Sequence, residues 1–424
     1  MTRDLGKMEI KDIALKKGVN EDTLQSSTPQ SKSHFEILMS GIFMVFVIIT
    51  AFATYISAHS VTILQNYESN TFLHNISTLL TPIFVHLIIL NVAIIIMLIF
   101  TKRLLWLIIP CLAIAINWHI IPNIIQLRST PNTENLTNTL TLQSYNVHRF
   151  TYKSFENTVD NILLSVAKNN VDILCLQEYT IYKDEANNLE YTTIDERVKK
   201  FNNLSKDKVS TKNTHKSSLS KTFPYACFSD KDKKTGIALF SLYPILYNET
   251  HKVPNSNQEA LVADLEINGA IIRVITVHMQ TTSISQHHNE TSILTDGFSI
   301  AETSYKLDAL STLMQAFIKS SSIRREQADV IYNLIKKSPH PVIVCGDFND
   351  TPNSYSYHKF DQVLDDAFKT AGSGYASSYI QPVQLLRIDY IFHSKNIAPV
   401  QFYYKAYPWS DHSAAFFKFK IPPL

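Results

Sequence analysis

Cysteine is scarce. The chain has four in 424 residues, Cys111, Cys175, Cys227 and Cys345, too few and too scattered for a disulfide scaffold and without metal-ligand spacing. Cys111 sits in an apolar run and Cys175 and Cys345 in apparent core strands, so all four are expected to be small buried hydrophobes. They leave the redox compartment open. An excess of charge is missing as well: the formal net charge is +2, which excludes a global basic field or an acidic tail, so composition names no partner. Charged side chains are also absent from the long apolar runs, all of which lie before residue 122.

Residues 1–36 are polar, mixed in charge and rich in Lys, Ser and Thr, as a cytoplasmic tail would be. From Ile37 to about Ser57 no residue is charged, and crossing a hydrocarbon core takes roughly 20 helical residues. A secretory signal fits less well, because the preceding tail is long and signal cores run to about 7–15 residues. Leu79–Phe100 and Leu104–Ile121 repeat the pattern, separated only by Thr101, Lys102 and Arg103. Residues 37–122 are therefore expected to form a membrane anchor of three helices, about 37–57, 79–100 and 104–121; the alternative is a buried soluble helix pair. Pro82, Pro110, Asn91, Asn117 and His86 are compatible with spanning. His86 and His119 are read as packing or interface residues.

Lysine and arginine set the orientation. Arg3, Lys7, Lys11, Lys16, Lys17 and Lys32 lie in the tail and Lys102 and Arg103 in the tight turn, whereas the loop from His59 to Thr78 has neither type. The tail and turn are placed in the cytoplasm and everything beyond about residue 123 outside, although Arg128 counts the other way. Residues 123–139, with Pro131 and several Thr and Asn, read as a linker. A transporter is disfavoured, since the three spans contain no acidic residue.

From Leu140 short β-type runs alternate with helical periodicity, which predicts an α/β or α+β domain over 140–424. Leu142–Val147 reads as a strand presenting Asn146, His148 and Arg149; Phe155–Lys168 as a helix; Val171–Leu176 as a buried strand ending in Gln177 and Glu178. Lys199–Lys234 is lysine-rich, a solvated insertion or an anion-steering surface with little aromatic interleaving. Thr235–Leu246, Glu259–Ile267 and Ala270–His278 read as strands, the last two joined at Asn268-Gly269, a strong hairpin signal. Residues 281–322 form an insertion with a helix expected around Thr303–Ile318, followed by a second helix over Ile323–Lys337. In PVIVCGDFNDTP, Val342–Cys345 makes a buried strand that Gly346 ends, and Asp347, Asn349 and Asp350 follow at once. Those residue types suit a turn as well as an active site. Leu386–Phe392 puts Arg387 and Asp389 on one face by alternation, and Ser410-Asp411-His412 precedes a last strand, Ala414–Phe419.

Asn146, Glu178, His278, Asp347, Asn349, Asp389, Asp411 and His412 thus recur as polar residues at strand ends. Singly, each has an ordinary structural explanation. Together, carboxylates and carboxamides without cysteine favour a hard cation such as Mg²⁺ or Mn²⁺ over zinc. Such an ion with two histidines suits phosphoester cleavage.

The segments SYNVHRF, LCLQEY, GIALFSLYPI, VITVHMQ, REQADVI, VIVCGDFNDTP, LRIDYIF and SDHSA, in this order, resemble the endonuclease/exonuclease/phosphatase superfamily and cover most of Leu140–Leu424. With the helices in front, the chain is similar to membrane-anchored members from Bacteroidetes-type bacteria. The resemblance implies a four-layer α/β/β/α sandwich and a divalent-metal phosphoesterase site. By motif position Glu178 is implied as the principal metal ligand, with Asn146 beside it and Asp411 near the metal. Asp347 would align or deprotonate water, and Asn349 would hold it or a phosphoryl oxygen. His412, oriented by Asp389, would contact the phosphoryl group; His278 is a candidate acid for the leaving oxygen, and Arg387 is more plausibly structural. His148 and Arg149 after the first asparagine, and Met279, depart mildly from the pattern. The function expected is an inner-membrane, outward-facing phosphodiesterase acting on nucleic acid or an anionic lipid head group, with no protein partner. The alternative is a catalytically silent binding protein of the same fold.

Overall fold

The computed structural model describes residues 34–66, 72–129, 138–150, 158–180, 222–229, 235–253, 255–282, 303–380 and 386–421. Residues 1–33 of the expected N-terminal tail, most of the lysine-rich stretch and residues 283–302 of the expected insertion lie outside the described residues.

The N-terminal part is helical: α1 (His34–Ala58), α2 (Ser60–Asn66), α3 (Phe72–Leu80), α4 (Phe84–Phe100) and α5 (Ile108–Ile116). The described residues divide into two units, one up to Ile49 and one from Thr50. A single 3₁₀ turn, Thr81–Ile83, carries α3 into α4, with Pro82 near the start of a helical segment, where its missing N–H is not needed. Among the described residues two stretches, Leu38–Ala58 and Phe72–Phe100, are long and apolar enough to cross a membrane. The second begins at Phe72 because the Phe72–Leu80 segment, too polar to register as an apolar run, also winds into helix.

The third expected span does not form. Leu104–Leu107 is 3₁₀, α5 has nine residues, and Trp118–Asn123 is 3₁₀ again. Pro110 confines the α-helix start to its own first turn, and Asn117 ends it by bonding its side chain back to Ala113 O at 2.6 Å. The continuous apolar helix, Leu104–Ile116, is about 20 Å long, against a hydrocarbon core of about 30 Å. Asn91, buried in α4, donates to Thr54 Oγ1 of α1 at 2.8 Å and to Leu87 O, a helix-to-helix bond that accounts for an amide among apolar neighbours. Cys111 is exposed on α5, contrary to expectation, because α5 turns Pro110 and Ala113 inward instead; the other three cysteines are buried.

After β1 (Ile125–Gln126) come β2 (Leu140–Asn146), α6 (Thr158–Asn169), β3 (Ile173–Thr180), β4 (Tyr225–Phe228), β5 (Thr235–Ser241), β6 (Ile245–Lys252), β7 (Glu259–Ile267) and β8 (Ala270–His278). The chain continues through α7 (Thr303–Lys336), β9 (Val342–Asp347), α8 (Tyr355–Asp361), β10 (Asp365–Asp366), α9 (Ala367–Ala371), β11 (Gly374–Tyr375), β12 (Asp389–His393), β13 (Ala398–Ala406) and β14 (Ser413–Lys420). One six-stranded sheet runs β13-β14-β2-β3-β5-β4 and the other β10-β12-β9-β8-β7-β6.

Leu142, Cys175, Leu239, Ala263, Val274, Cys345 and Phe417 meet in the core between the sheets. On the outside, Ile162 and Val166 of α6 pack on the first sheet, and Ala328, Ile331 and Phe360 of α7 and α8 on the second. Helix, sheet, sheet and helix follow in order, so the strands are buried on both faces and read as near-continuous apolar runs. Asn268 and Gly269 take φ of 53° and 86°, as a tight hairpin requires. Thr235–Leu246 divides at Pro244, which has no ladder donor. The two helices expected over 303–337 are one, since neither Gly nor Pro interrupts Ser320–Ser322. The stretch expected as a linker opens with β1, which pairs with β11 in the register Ile125↔Tyr375 and Gln126↔Gly374.

Candidate active site

Register brings the strand ends together. β2 and β3 are parallel with Asn146 opposite Gln177, β8 and β9 are parallel with His278 opposite Asp347, and Asp389 of antiparallel β12 also faces Asp347. Asn146, Glu178, His278, Asp347, Asp389 and His412 thereby collect at one end of the sandwich.

The backbone is turned hard here. Glu178 lies where the β3–β5 register shifts between Leu176 and Tyr179, and such a bulge re-aims a side chain. Its φ is 52°, that of Asn349 is 51°, and the run His148, Arg149, Phe150 has φ of 44°, 55° and 59°. Left-handed conformations in non-glycine residues cluster at functional sites, where surrounding structure holds them. Gly346 is required by contact as well as by its φ of 141°: a Cβ there would stand 1.9 Å from Val277 O.

Asp347 is the hub. Its Oδ2 accepts from Asn146 Nδ2 at 3.0 Å and lies 3.7 Å from both His278 Nε2 and His412 Nε2. Glu178 Oε1 stands 3.4 Å from Asn146 Nδ2 and 3.9 Å from His278 Nε2. His412 Nδ1 bonds Asp389 Oδ2 at 2.9 Å, and Ser378 Oγ accepts from the N–H groups of Ile388 and Asp389. Tyr379 lays its ring against His412 with centroids 5.2 Å apart. Asn349 donates its N–H to Asp347 Oδ1 at 2.9 Å and its amide to Met279 O at 3.2 Å. Asp411 pairs with His148 at 3.1 Å, and neighbouring Ser410 bonds Asn146 O at 2.7 Å. Asp350, third polar residue of the same loop, turns away to Arg324 and Ser356.

Burial pushes the Asp347 carboxyl up to about 6 against the pull of His412. Burial would lower His412, but Asp389 and then Asp347 outweigh it and raise the imidazole to about 10. Burial also disfavours the Asp411 anion, yet its bond to His148 and the charge of His412 carry its pKa below the ordinary value. The His148 pKa is raised by the same bond.

The donors fit a hard divalent cation. Asp347, Asp389 and His412 present atoms within 4.8 Å of one another, a spacing that suits a metal; of these, His412 Nδ1 is already engaged by Asp389. Buried His278 Nε2 has no hydrogen-bond partner among the described residues, and two carboxylate oxygens face it at distances too long for hydrogen bonds. Glu178 and Asp347 turn carboxylate oxygens toward His278 Nε2 from 3.9 and 3.7 Å, and carboxylate oxygens are the donors that hard divalent cations take. Asn146 turns its amide nitrogen toward the carboxylates while Oδ1 accepts from His148 N at 3.0 Å; a half-turn of the amide would offer the oxygen to a cation. Beside these groups an open recess of ≈ 380 Å³ is lined by Arg149, Asn257, Gln258 and Glu259 with Glu178 and His278.

The sequence profile of the Endonuclease/Exonuclease/phosphatase family matches residues 144–412. The chain belongs to this family. No curated protein matches the chain significantly. Solved structures similar to it include the human Nocturnin catalytic domain with bound sulfate, 18% identical with a TM-score of 0.43, covering 68% of this chain and 96% of that one. A Leptotrichia buccalis protein of the endonuclease/exonuclease/phosphatase family is 14% identical with a TM-score of 0.44, covering 66% and 100%. One from Beutenbergia cavernae is 13% identical with a TM-score of 0.44, covering 67% and 72%.

Four contributors escaped the sequence reading. His148 and Arg149, which contacts Glu178 at 3.4 Å, were visible as polar residues after Asn146 but carried no role. Ser378 and Tyr379 sit in a loop with no motif, and only the fold brings them to Asp389 and His412.

Proposed function

We propose that this family member is a membrane-tethered, divalent-metal-dependent phosphoester hydrolase that prefers phosphodiesters of nucleic acid or anionic lipid. One observation carries the reading: Asn146, His278 and His412, from three separate strand ends in two sheets, all lie within 3.7 Å of one buried carboxylate oxygen of Asp347. Structural polar groups seldom converge so, because each buried charge must be offset.

Glu178, with Asn146 and Asp411, would hold Mg²⁺ or Mn²⁺, which when bound lends positive charge to the phosphoryl oxygens and acidity to water. Asp347, its pKa lifted to about 6, is largely ionised at neutral pH yet basic enough to take a proton from the attacking water. Asn349 fixes that carboxylate through its N–H. His412, kept protonated by Asp389, donates to a phosphoryl oxygen and neutralises charge as it grows. His278, 3.9 Å from Glu178, would deliver a proton to the departing oxygen. The two long apolar helices support a membrane anchor, which this reading puts in a bacterial inner membrane, and the distribution of Lys and Arg favours the domain on the outer side.

The test is hydrolysis of a panel of plasmid DNA, RNA, phospholipid and simple phosphodiesters by the purified full chain. Activity is expected only with Mg²⁺ or Mn²⁺. Asp347→Asn and His412→Ala are each expected to lower turnover by about 10²-fold or more with unchanged circular dichroism. Near-normal turnover in either would remove the site.

A further inference from the structure

We propose that the phosphoester this centre cleaves is presented at a bilayer surface, as a lipid head group is, and that the catalytic sandwich is docked on its helices to meet it there. The inference rests on the hydrolase and membrane readings above and adds the substrate class.

The loop that leaves the active-site strand is bound to the ends of the apolar helices. Asn353, six residues after Asp347 and buried, donates its amide to Ser57 O at 2.9 Å, Ser57 Oγ at 3.2 Å and Thr81 O at 3.0 Å. Ser60 Oγ donates to Asn353 O in return. Ser57 also bonds Leu80 O at 2.8 Å, so one amide closes the end of α1 against the α3–α4 junction. A second joint lies by Asp389: Arg387, two residues before it, donates to Asn123 O at 2.8 Å, and Ala376 N donates to Ile124 O at 2.8 Å. Three helices of the sandwich repeat the pattern, α7 on α3, α8 on α2, and α9 on the 3₁₀ turn Trp118–Asn123.

A flexible linker would let the domain tumble. Two sets of buried hydrogen bonds, one six residues after Asp347 and one two residues before Asp389, hold its orientation instead. Six extended residues span at most about 20 Å, so Asp347 lies no farther than that from Asn353, which is bonded to the end of α1 and to the turn that leads into α4; if α1 and α4 (Phe84–Phe100) are the crossing helices, those ends reach the head-group layer. A dissolved polymer would need no such joint.

Apolar side chains are also exposed on elements that take part in these contacts. Leu307, Leu310 and Met314 of α7 are 61%, 44% and 37% exposed, and their spacing puts them on one face of a helix that already packs on α3. Trp118 and Leu127, on either side of β1, are 64% and 97% exposed. Apolar and aromatic groups so placed suit the acyl and head-group boundary.

The experiment uses the full chain in phosphatidylcholine vesicles with Mg²⁺ and two p-nitrophenyl phosphodiesters. One carries an ethyl group and stays in water; the other carries a hexadecyl group and stays in the bilayer. In both, water adds to phosphorus, the P–O bond to p-nitrophenol breaks and the leaving oxygen takes a proton. The embedded ester is expected to be hydrolysed at least about tenfold faster at equal total concentration, because confinement raises its effective concentration. Leu307→Asp combined with Met314→Asp is expected to reduce that ratio and leave the ethyl ester rate unchanged. Equal rates on both esters, or cleavage of plasmid DNA and the ethyl ester with the embedded one ignored, would overturn the proposal and spare the hydrolase. Cleavage of neither ester would bring down the hydrolase reading and the proposal together.

Discussion

Arg387 and Asp366 show what burial asks of a charge. Both side chains are almost fully inaccessible, and the guanidinium holds the carboxylate by two bonds of 2.6 and 2.7 Å while its Nε donates to Tyr404. Asp366→Asn is expected to cost about 3–5 kcal/mol, because the arginine stays buried with its partner's charge gone; urea unfolding of the variant measures it. His393 gives a proton-linked prediction. Burial lowers its pKa, against the pull of a bond to Ser394 O, so the folded chain binds fewer protons than the unfolded one just below the unfolded value of about 6.5. Stability from this residue is present above that pH and is lost as pH falls toward the folded pKa. Melting curves from pH 7.5 to 5.5 are expected to show a smaller acid-induced drop for His393→Gln than for the parent; an equal drop would assign it elsewhere. Arg387 beside Asp389 in the sequence suggested one shared face, but Arg387 precedes the strand and belongs to the helix-to-sandwich joint.

Among the elements, β9 and the loop after it decide most. Gly346 precedes Asp347 within β9, and its missing Cβ lets β8 approach. Gly346→Ala is expected to destabilise by at least about 2 kcal/mol from crowding and positive φ together. Activity should fall further than stability explains, since Asp347 must shift; activity that merely tracks the folded fraction would contradict this. Such elements were legible because alternation, β-branched runs and an Asn-Gly turn act locally: β2, β7, β8 and β9 all stand within a few residues of their expected bounds. Helix ends were less legible. Nothing in the local pattern marks Ser320–Ser322 as helix interior, and the third apolar run has the composition of a span but not the continuity, because Pro110 and Asn117 act on backbone hydrogen bonds and not on hydropathy.

For the whole molecule, two apolar helices and a short third segment predict that the chain resists extraction from membranes by alkaline carbonate and comes off only with detergent. Release by carbonate or high salt would mean that Leu38–Ala58 and Phe72–Phe100 pack against protein. Sequence alone determined the chemistry available: the order of the motifs, the strand ends that carry Asn146, Glu178, His278, Asp347, Asp389 and His412, and the placing of the long apolar runs before residue 122. These follow from local physics, since periodicity and residue type depend on near neighbours. Only the tertiary structure decided which atoms meet. The spacing of Asp347 from two imidazoles, the turning away of Asp350, the arrival of Ser378 and Tyr379, and the grip of Asn353 on Ser57 and Thr81 all join residues far apart in the chain. Such contacts are set by sheet register and packing, which no local pattern encodes.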